Sequence, residues 1–331
     1  MIFINIKKQM QDILNFAIEN KASDIHIYPT LNDTNKIKFR IQGELIENIK
    51  LSNHEIESVI SLLKFNANID IALNKTPQSG KFKYNFNNKI YYLRVSTLPL
   101  SEIMEGCVIR VFTDEIDDVK YSLFSEDIEK IDSLKKYANG LIVFSGPTGS
   151  GKSTSMYKLA KDISNYNKQI ISIEDPVEKN IDKIVQMQVN EKAGINYDNA
   201  LKSILRCDPD VIMVGEIRDK ITAKYVITAS YSGHLLLTTI HSENCVGVIN
   251  RLLDLGVSLE DLKQTLLCII SQRLVKTKNN ERQLITEILD KESLYNYLHK
   301  NEVNFITMQE KFDIAYKERI ISHEEKEKWG Y

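Results

Sequence analysis

The chain has 331 residues, with 43 Lys+Arg against 45 Asp+Glu and a formal charge of −2. At roughly 150 residues per domain this is about two domains, enough to bury a full core without staples. An apolar fraction of 43% excludes low-complexity disorder, and the balanced charge argues against direct nucleic-acid binding. No stretch approaches the ~20 apolar residues that span a bilayer. The opening MIFINIKKQMQD places its positive charges after a short apolar run, the wrong order for a signal peptide. The four cysteines, Cys107, Cys207, Cys245 and Cys268, are never closer than 23 positions, so there is no CxxC pair. They read as thiols of a reducing compartment, and no structural zinc is expected.

Ile6, Met10, Ile13, Leu14 and Ala17 follow helical spacing over residues 5–20. Ala22-Ser23-Asp24-Ile25-His26-Ile27 then alternates and stops before Pro29, and Ile37, Phe39 and Ile41 alternate up to Gly43, giving two strands. Ser52-x-x-Glu55 before an apolar run predicts a capping box at a helix start. Phe82, Tyr84 and Phe86 meet Tyr91, Leu93, Val95 and Thr97 across Asn87-Asn88, which predicts a hairpin. Ile109 and Val111 add one more strand. Residues 1–112 therefore read as an α+β domain with a mainly antiparallel sheet. The acidic run Asp114–Asp118 marks a linker, taken as 113–122.

Leu141-Ile142-Val143-Phe144 is a continuous apolar run, as a buried parallel strand requires. It leads into Gly146-Pro147-Thr148-Gly149-Ser150-Gly151-Lys152-Ser153-Thr154, a GxxxxGK[ST] match followed by a helical pattern. Backbone amides and the helix N-terminus would cradle phosphate there. Lys152 would reach the β- and γ-phosphates, and the Ser153 hydroxyl would take Mg²⁺.

Two further apolar strands end in acids. Ile170–Ile173 leads to Glu174-Asp175-Pro176, and Val211–Val214 leads to Gly215-Glu216. Ligands of doubly wound sheets bind at the carboxyl ends of strands, so both acids belong near the phosphates. One would hold the metal shell and the other would orient or deprotonate the attacking water. The run Leu235–Ile240 is flanked by His234 and His241, either of which at a strand end can donate to a phosphate. These signals span a core of 123–275. Residues 276–331 are charged, with Phe312, Ala315, Tyr316 and Ile320 on one helix face and a capping-box pattern at Ser322-x-x-Glu325, and are expected to form a helical appendage.

In order along the chain these blocks resemble the ATPases of type II secretion and type IV pilus assembly. Ala22–Ile27 looks like that family's opening block, and Gly146–Thr154 its Walker A motif. Ile173–Glu178 is similar to its Asp box, Leu205–Asp219 to its Walker B region, Gly233–His241 to its His box, and Gln272-Arg273-Leu274 to the end of its core. The resemblance implies a PAS-like N-terminal domain, a RecA-like ATPase domain, and ATP with Mg²⁺. It also implies a homo-hexameric ring at the cytoplasmic face of the membrane, working with a polytopic inner-membrane platform protein. It assigns Glu174 as catalytic base, Glu216 as the Walker B acid beside Mg²⁺ and His241 as γ-phosphate sensor, and it brings in Arg94 and Arg110 from the N-terminal domain. Where the family has a third arginine, this chain has Lys81, which is no bidentate substitute. A short member without the zinc module is most similar to the competence branch, whose pseudopilus serves DNA uptake. Pilus retraction, type II secretion and a non-hydrolysing nucleotide-dependent scaffold stand as alternatives.

Overall fold

The computed structural model describes residues 2–30, 35–100, 104–112, 119–301 and 303–331. Two compact units divide the chain, Met1–Asp114 and Glu115–Tyr331. Of the expected linker, residues 113–118 lie outside the described residues.

The first unit runs α1 (Ile2–Glu19), β1 (Ala22–Ile27), β2 (Asn35–Ile41), β3 (Glu44–Leu51), α2 (Asn53–Asn66), β4 (Gln78–Phe86), β5 (Lys89–Pro99) and β6 (Glu105–Phe112). The strands form one antiparallel sheet in the order β3-β2-β1-β6-β5-β4. Period-two alternation sends Ile25, Phe39, Leu93, Val95 and Ile109 to one face, where they pack against Ile13, Leu14 and Ala17 of α1 and Ile56, Val59 and Leu63 of α2. The predicted capping box forms in full at Ser52 and Glu55. Asn87 and Asn88 take φ of 50° and 61°, as the tight turn between β4 and β5 requires. Strand β3 carries no such alternation. It is an edge strand with Leu45 and Ile46 at 49% and 43% exposure, so burial left no pattern to read.

The second unit runs α3 (Ser125–Ser133), β7 (Gly140–Ser145), α4 (Lys152–Ser164), β8 (Ile170–Glu174), β9 (Ile184–Gln188), α5 (Tyr197–Ile204), β10 (Val211–Val214), α6 (Lys220–Tyr231), β11 (Leu235–Ile240) and α7 (Cys245–Asp254). It continues with α8 (Leu259–Thr265), β12 (Leu266–Lys276), β13 (Arg282–Leu289), α9 (Lys291–Leu298), α10 (Met308–Lys317) and α11 (His323–Lys328). The sheet order is β13-β12-β7-β11-β10-β8-β9, parallel except for the β12–β13 pair. Every residue of β7, β8, β10 and β11 is buried. Alternate residues serve two cores. Leu141, Val143, Ile212 and Leu236 face α5, α6 and α7, while Ile142, Phe144, Met213 and Leu237 face α4.

The expected division at 275 and 276 is corrected. β12 ends at Lys276, and β13, inside the expected helical appendage, extends the main sheet. The reason lies in Glu287, a charge that interrupts the apolar residues Leu284, Ile285, Ile288 and Leu289 of this strand. It is 3% exposed, and its two oxygens accept the Cys245 amide at 2.6 Å and the Met308 amide at 2.7 Å, the first residues of α7 and α10. The rest of the tail carries α9, α10 and α11 joined by irregular segments, and Phe312 and Ala315 of the apolar face of α10 are buried. At α11 only half the expected capping box forms. Ser322 accepts the Glu325 amide, but the Glu325 carboxylate turns to the Lys276 amide and the Trp329 indole. Among the described residues no helix is long and apolar enough to cross a membrane.

Candidate active site

The loop Gly146–Gly151 joins β7 to α4 at the carboxyl end of the sheet. Gly146, Gly149 and Gly151 take φ of 138°, 78° and 85°, a region that favours glycine. A Cβ on Gly146 would stand 2.4 Å from the Gln272 carbonyl. Gly151 caps α4 with no side-chain bond, so the first-turn amides stay available to an anion. The Lys152 ammonium folds back onto the carbonyls of Gly146 at 2.9 Å and Pro147 at 3.0 Å. Ser150 Oγ is buried without a partner, and the Gln272 amide braces the loop through the Ser150 carbonyl at 2.7 Å. These residues fit the phosphates of a nucleotide. A cavity of about 500 Å³ opens beside Gly151 and Thr154, lined also by Val119, Lys120, Leu274 and Leu284.

Burial lowers the Lys152 pKa, Glu216 and then Glu178 raise it, and Arg273 lowers it. Glu216 lies just past β10. Its Oε2 accepts Arg218 Nε at 2.8 Å, and His241 Nε2 lies 3.3 Å from Oε1. Arg218 also reaches Asp175 at 3.6 Å. The Thr239 hydroxyl donates to the Gly215 carbonyl at 2.7 Å and fixes this strand end. Ser153 follows Lys152 on α4. Among the described residues no group of three or more His, Cys, Asp or Glu could hold a metal by itself, so a magnesium ion here would be held by Ser153 and Glu216 together with phosphate oxygens.

Glu174 is different. It is 3% exposed and accepts from the Tyr157 hydroxyl, Ser172 Oγ at 2.6 Å and Gln186 Nε2 at 3.1 Å. Burial raises its pKa, against those three donors. Glu178, four residues on, is half-buried and within electrostatic reach of Lys152. His234 sits at the opposite end of β11 from His241, where its carbonyl accepts the Gly140 amide at the start of β7. It is no part of the site. Sequence reasoning therefore missed Glu178, Arg218, Tyr157 and Arg273. The second glutamate of the Glu-Asp-Pro-Val-Glu block was the signal for the first of these.

In the N-terminal unit, Arg94 and Arg110 are direct cross-strand neighbours. They lie in one row across the sheet, Lys81, Arg94, Arg110, Asp24 and Arg40. Arg110 Nε donates to Asp24 at 2.9 Å, and Arg94 Nε donates to the Ser79 hydroxyl at 3.1 Å. Cys107, Cys245 and Cys268 are buried, Cys207 is exposed, and all four are free thiols.

Residues 3–319 match the type II/IV secretion system protein family. The chain belongs to that family. It is 40% identical over 277 residues to the competence protein ComGA of Bacillus subtilis, spanning 82% of this chain and 76% of that one. With ComGA of Halalkalibacterium halodurans it shares 37% over 333 residues, spanning 94% and 95%. With the type II secretion system ATPase E of Vibrio cholerae it shares 37% over 275 residues, spanning 82% of this chain but 54% of the relative. The X-ray structure of the Legionella pneumophila ATPase DotB superposes with a TM-score of 0.80 at 22% identity, covering 96% of this chain and 94% of that one. That likeness shows the fold, a mixed α/β chain with an N-terminal domain followed by a RecA-like ATPase domain. With its P-loop intact, this family member is an ATPase.

Proposed function

We propose that this ATPase is a hexameric motor that drives assembly of a competence pseudopilus for DNA uptake. It works at the cytoplasmic face of the cell membrane against a polytopic platform protein. The observation that carries this reading is the nearly end-to-end correspondence with a ComGA protein, 94% of one chain and 95% of the other. Type II secretion is the second reading, favoured by the 37% identity over 275 residues with the type II secretion system ATPase E of Vibrio cholerae.

Magnesium, when bound with ATP, neutralises phosphate charge. The chain's own residues do the rest. The loop amides and Lys152 hold the phosphates, and Ser153 and Glu216 hold the metal. His241, beside Glu216, donates toward the γ-phosphate. The cavity beside Thr154 receives the nucleoside. Glu174 was the expected base; Tyr157, Ser172 and Gln186 already occupy three of its roughly four acceptor sites, and accepting a proton from water requires a carboxylate in reach of that water. Half-buried Glu178 meets that need better, so Glu178 is the favoured base and Glu174 its buried support. Arg94 and Arg110 complete the site's charge. Head-to-tail contacts that close into a ring let one subunit serve its neighbour. Lys81 stands in the same row and extends its positive charge.

The test is turnover per subunit against protein concentration, with particle images of the assembled species. Turnover should rise as rings form, and a dilute monomer as active as the ring would remove the oligomeric part. Loss of transformation on deleting the gene, with secretion intact, would separate competence from type II secretion.

A further inference from the structure

Arg273 follows Gln272 on β12 and is 5% exposed. Among the described residues it makes no ion pair. Its guanidinium donates to the carbonyls of Gln272 at 3.2 Å and Glu243 at 2.8 Å and to the Tyr331 hydroxyl at 3.3 Å, and it stacks 5.7 Å from the Trp329 ring. A buried cation without a counter-charge is costly, and an apolar residue would pack there more cheaply. What a guanidinium offers is a planar fork of donors that ties separate segments together.

The tied segments matter. Glu243 lies two residues past His241, and its carbonyl also accepts Ser271 Oγ at 3.2 Å. At the far end of the same loop the Cys245 amide is held by Glu287. The loop that carries His241 therefore hangs on β12 and β13. On its other side Arg273 is gripped by Trp329 and Tyr331, and Tyr331 stacks on Phe312 of α10 at 4.7 Å. The Arg273 charge also acts on Lys152, and the neighbouring Gln272 braces the P-loop.

We propose that Arg273 is a positioning residue that sets the His241 loop against Glu216 from the C-terminal segment, so that the state of the phosphate site is felt at Trp329. This rests on the reading of His241 and Glu216 as parts of the hydrolytic site. It makes the face of α10 and α11 a place from which turnover is controlled.

Trp329 is the chain's one tryptophan, so its emission reports on this corner of the molecule, where its indole also donates to Glu325, and the Arg273 variant isolates the guanidinium's share. Full-length protein is titrated with a non-hydrolysable ATP analogue while displacement of ribose-labelled ADP is followed in parallel. Wild-type emission should shift in intensity or wavelength, saturating in step with displacement. Arg273→Met should still displace the labelled ADP and lose the emission shift. Its kcat should fall by up to ~10²-fold at unchanged KM for ATP, the cost of misplacing a reacting group by about an ångström. Tyr331→Phe, which removes one hydroxyl, should show a smaller fall of the same kind with the wild-type melting temperature. Nucleotide binding without any change in Trp329 emission overturns the proposal, as does wild-type kcat in both variants. Failure of the labelled ADP to bind is a separate result, which removes the site reading and this inference with it.

Discussion

The two sheets use charge in opposite ways. In the seven-stranded sheet the central strands β7, β10 and β11 are buried on both faces and carry no charge, and Glu174 and Glu216 stand at the carboxyl ends where the chain leaves the core, while β12 and β13 hold Arg273 and Glu287 as internal ties. The six-stranded sheet buries one face, and its other face carries cations in a transverse row of Lys81, Arg94, Arg110 and Arg40 around the single anion Asp24. In the first case position along a strand makes a residue chemical. In the second, register across strands does so, and residues far apart in sequence become one positive surface.

That contrast can be broken or sharpened by experiment. The row is expected to give the largest effects, because an arginine supplied to a transferring phosphoryl group is worth ~10³–10⁵ in rate. Arg94→Ala should bind ATP and hydrolyse it at that level of loss, with unchanged melting. Full activity in both Arg94→Ala and Arg110→Ala would confine the chemistry to the parallel sheet. At the strand ends, Glu216→Gln and Glu178→Gln should keep nucleotide affinity and lose ~10²–10⁴ in kcat, the usual contribution of a positioned base or acid. Glu174→Gln should lose less than Glu178→Gln in the same assay, and the reverse order would restore Glu174 as the base.

Smaller effects concern stability. Asp127 is buried against Lys311 at 2.7 Å and also accepts from Ser122 and Thr286. Asp127→Ala strands the Lys311 charge and should cost about 3–5 kcal/mol in denaturant unfolding. Ser52→Ala removes one cap of α2 and should cost only ~1 kcal/mol, read in the same way. Elemental analysis should find no stoichiometric zinc, because Cys107, Cys245 and Cys268 are separately buried. Stoichiometric zinc would mean that the thiols converge in an assembled species.

What could be read from the sequence follows from this physics. Buried parallel strands leave continuous apolar runs, so β7, β8, β10 and β11 and the loop after β7 were evident, and half-buried hairpins leave alternation, so β4 and β5 were too. β3 left no trace because neither face is well buried, and β13 was hidden by Glu287, a charge the fold consumes internally. In the site, residue types at strand ends were legible, but how firmly Glu174 is held in the core was not. That depends on Tyr157, Ser172 and Gln186 converging on Glu174 from three different elements. Arg273 was visible only as a motif letter, since its partners Glu243 and Tyr331 are remote in sequence.

Glu287 has one more consequence. A single carboxylate terminates two helices, so neither α7 nor α10 can fray at its first turn without releasing a bond from a side chain shared with the other. Their leading amides should therefore exchange with solvent deuterium at matched rates, as one opening unit. Glu287→Gln, which keeps the shape but offers one acceptor, should split that pair into a slow amide and a fast one.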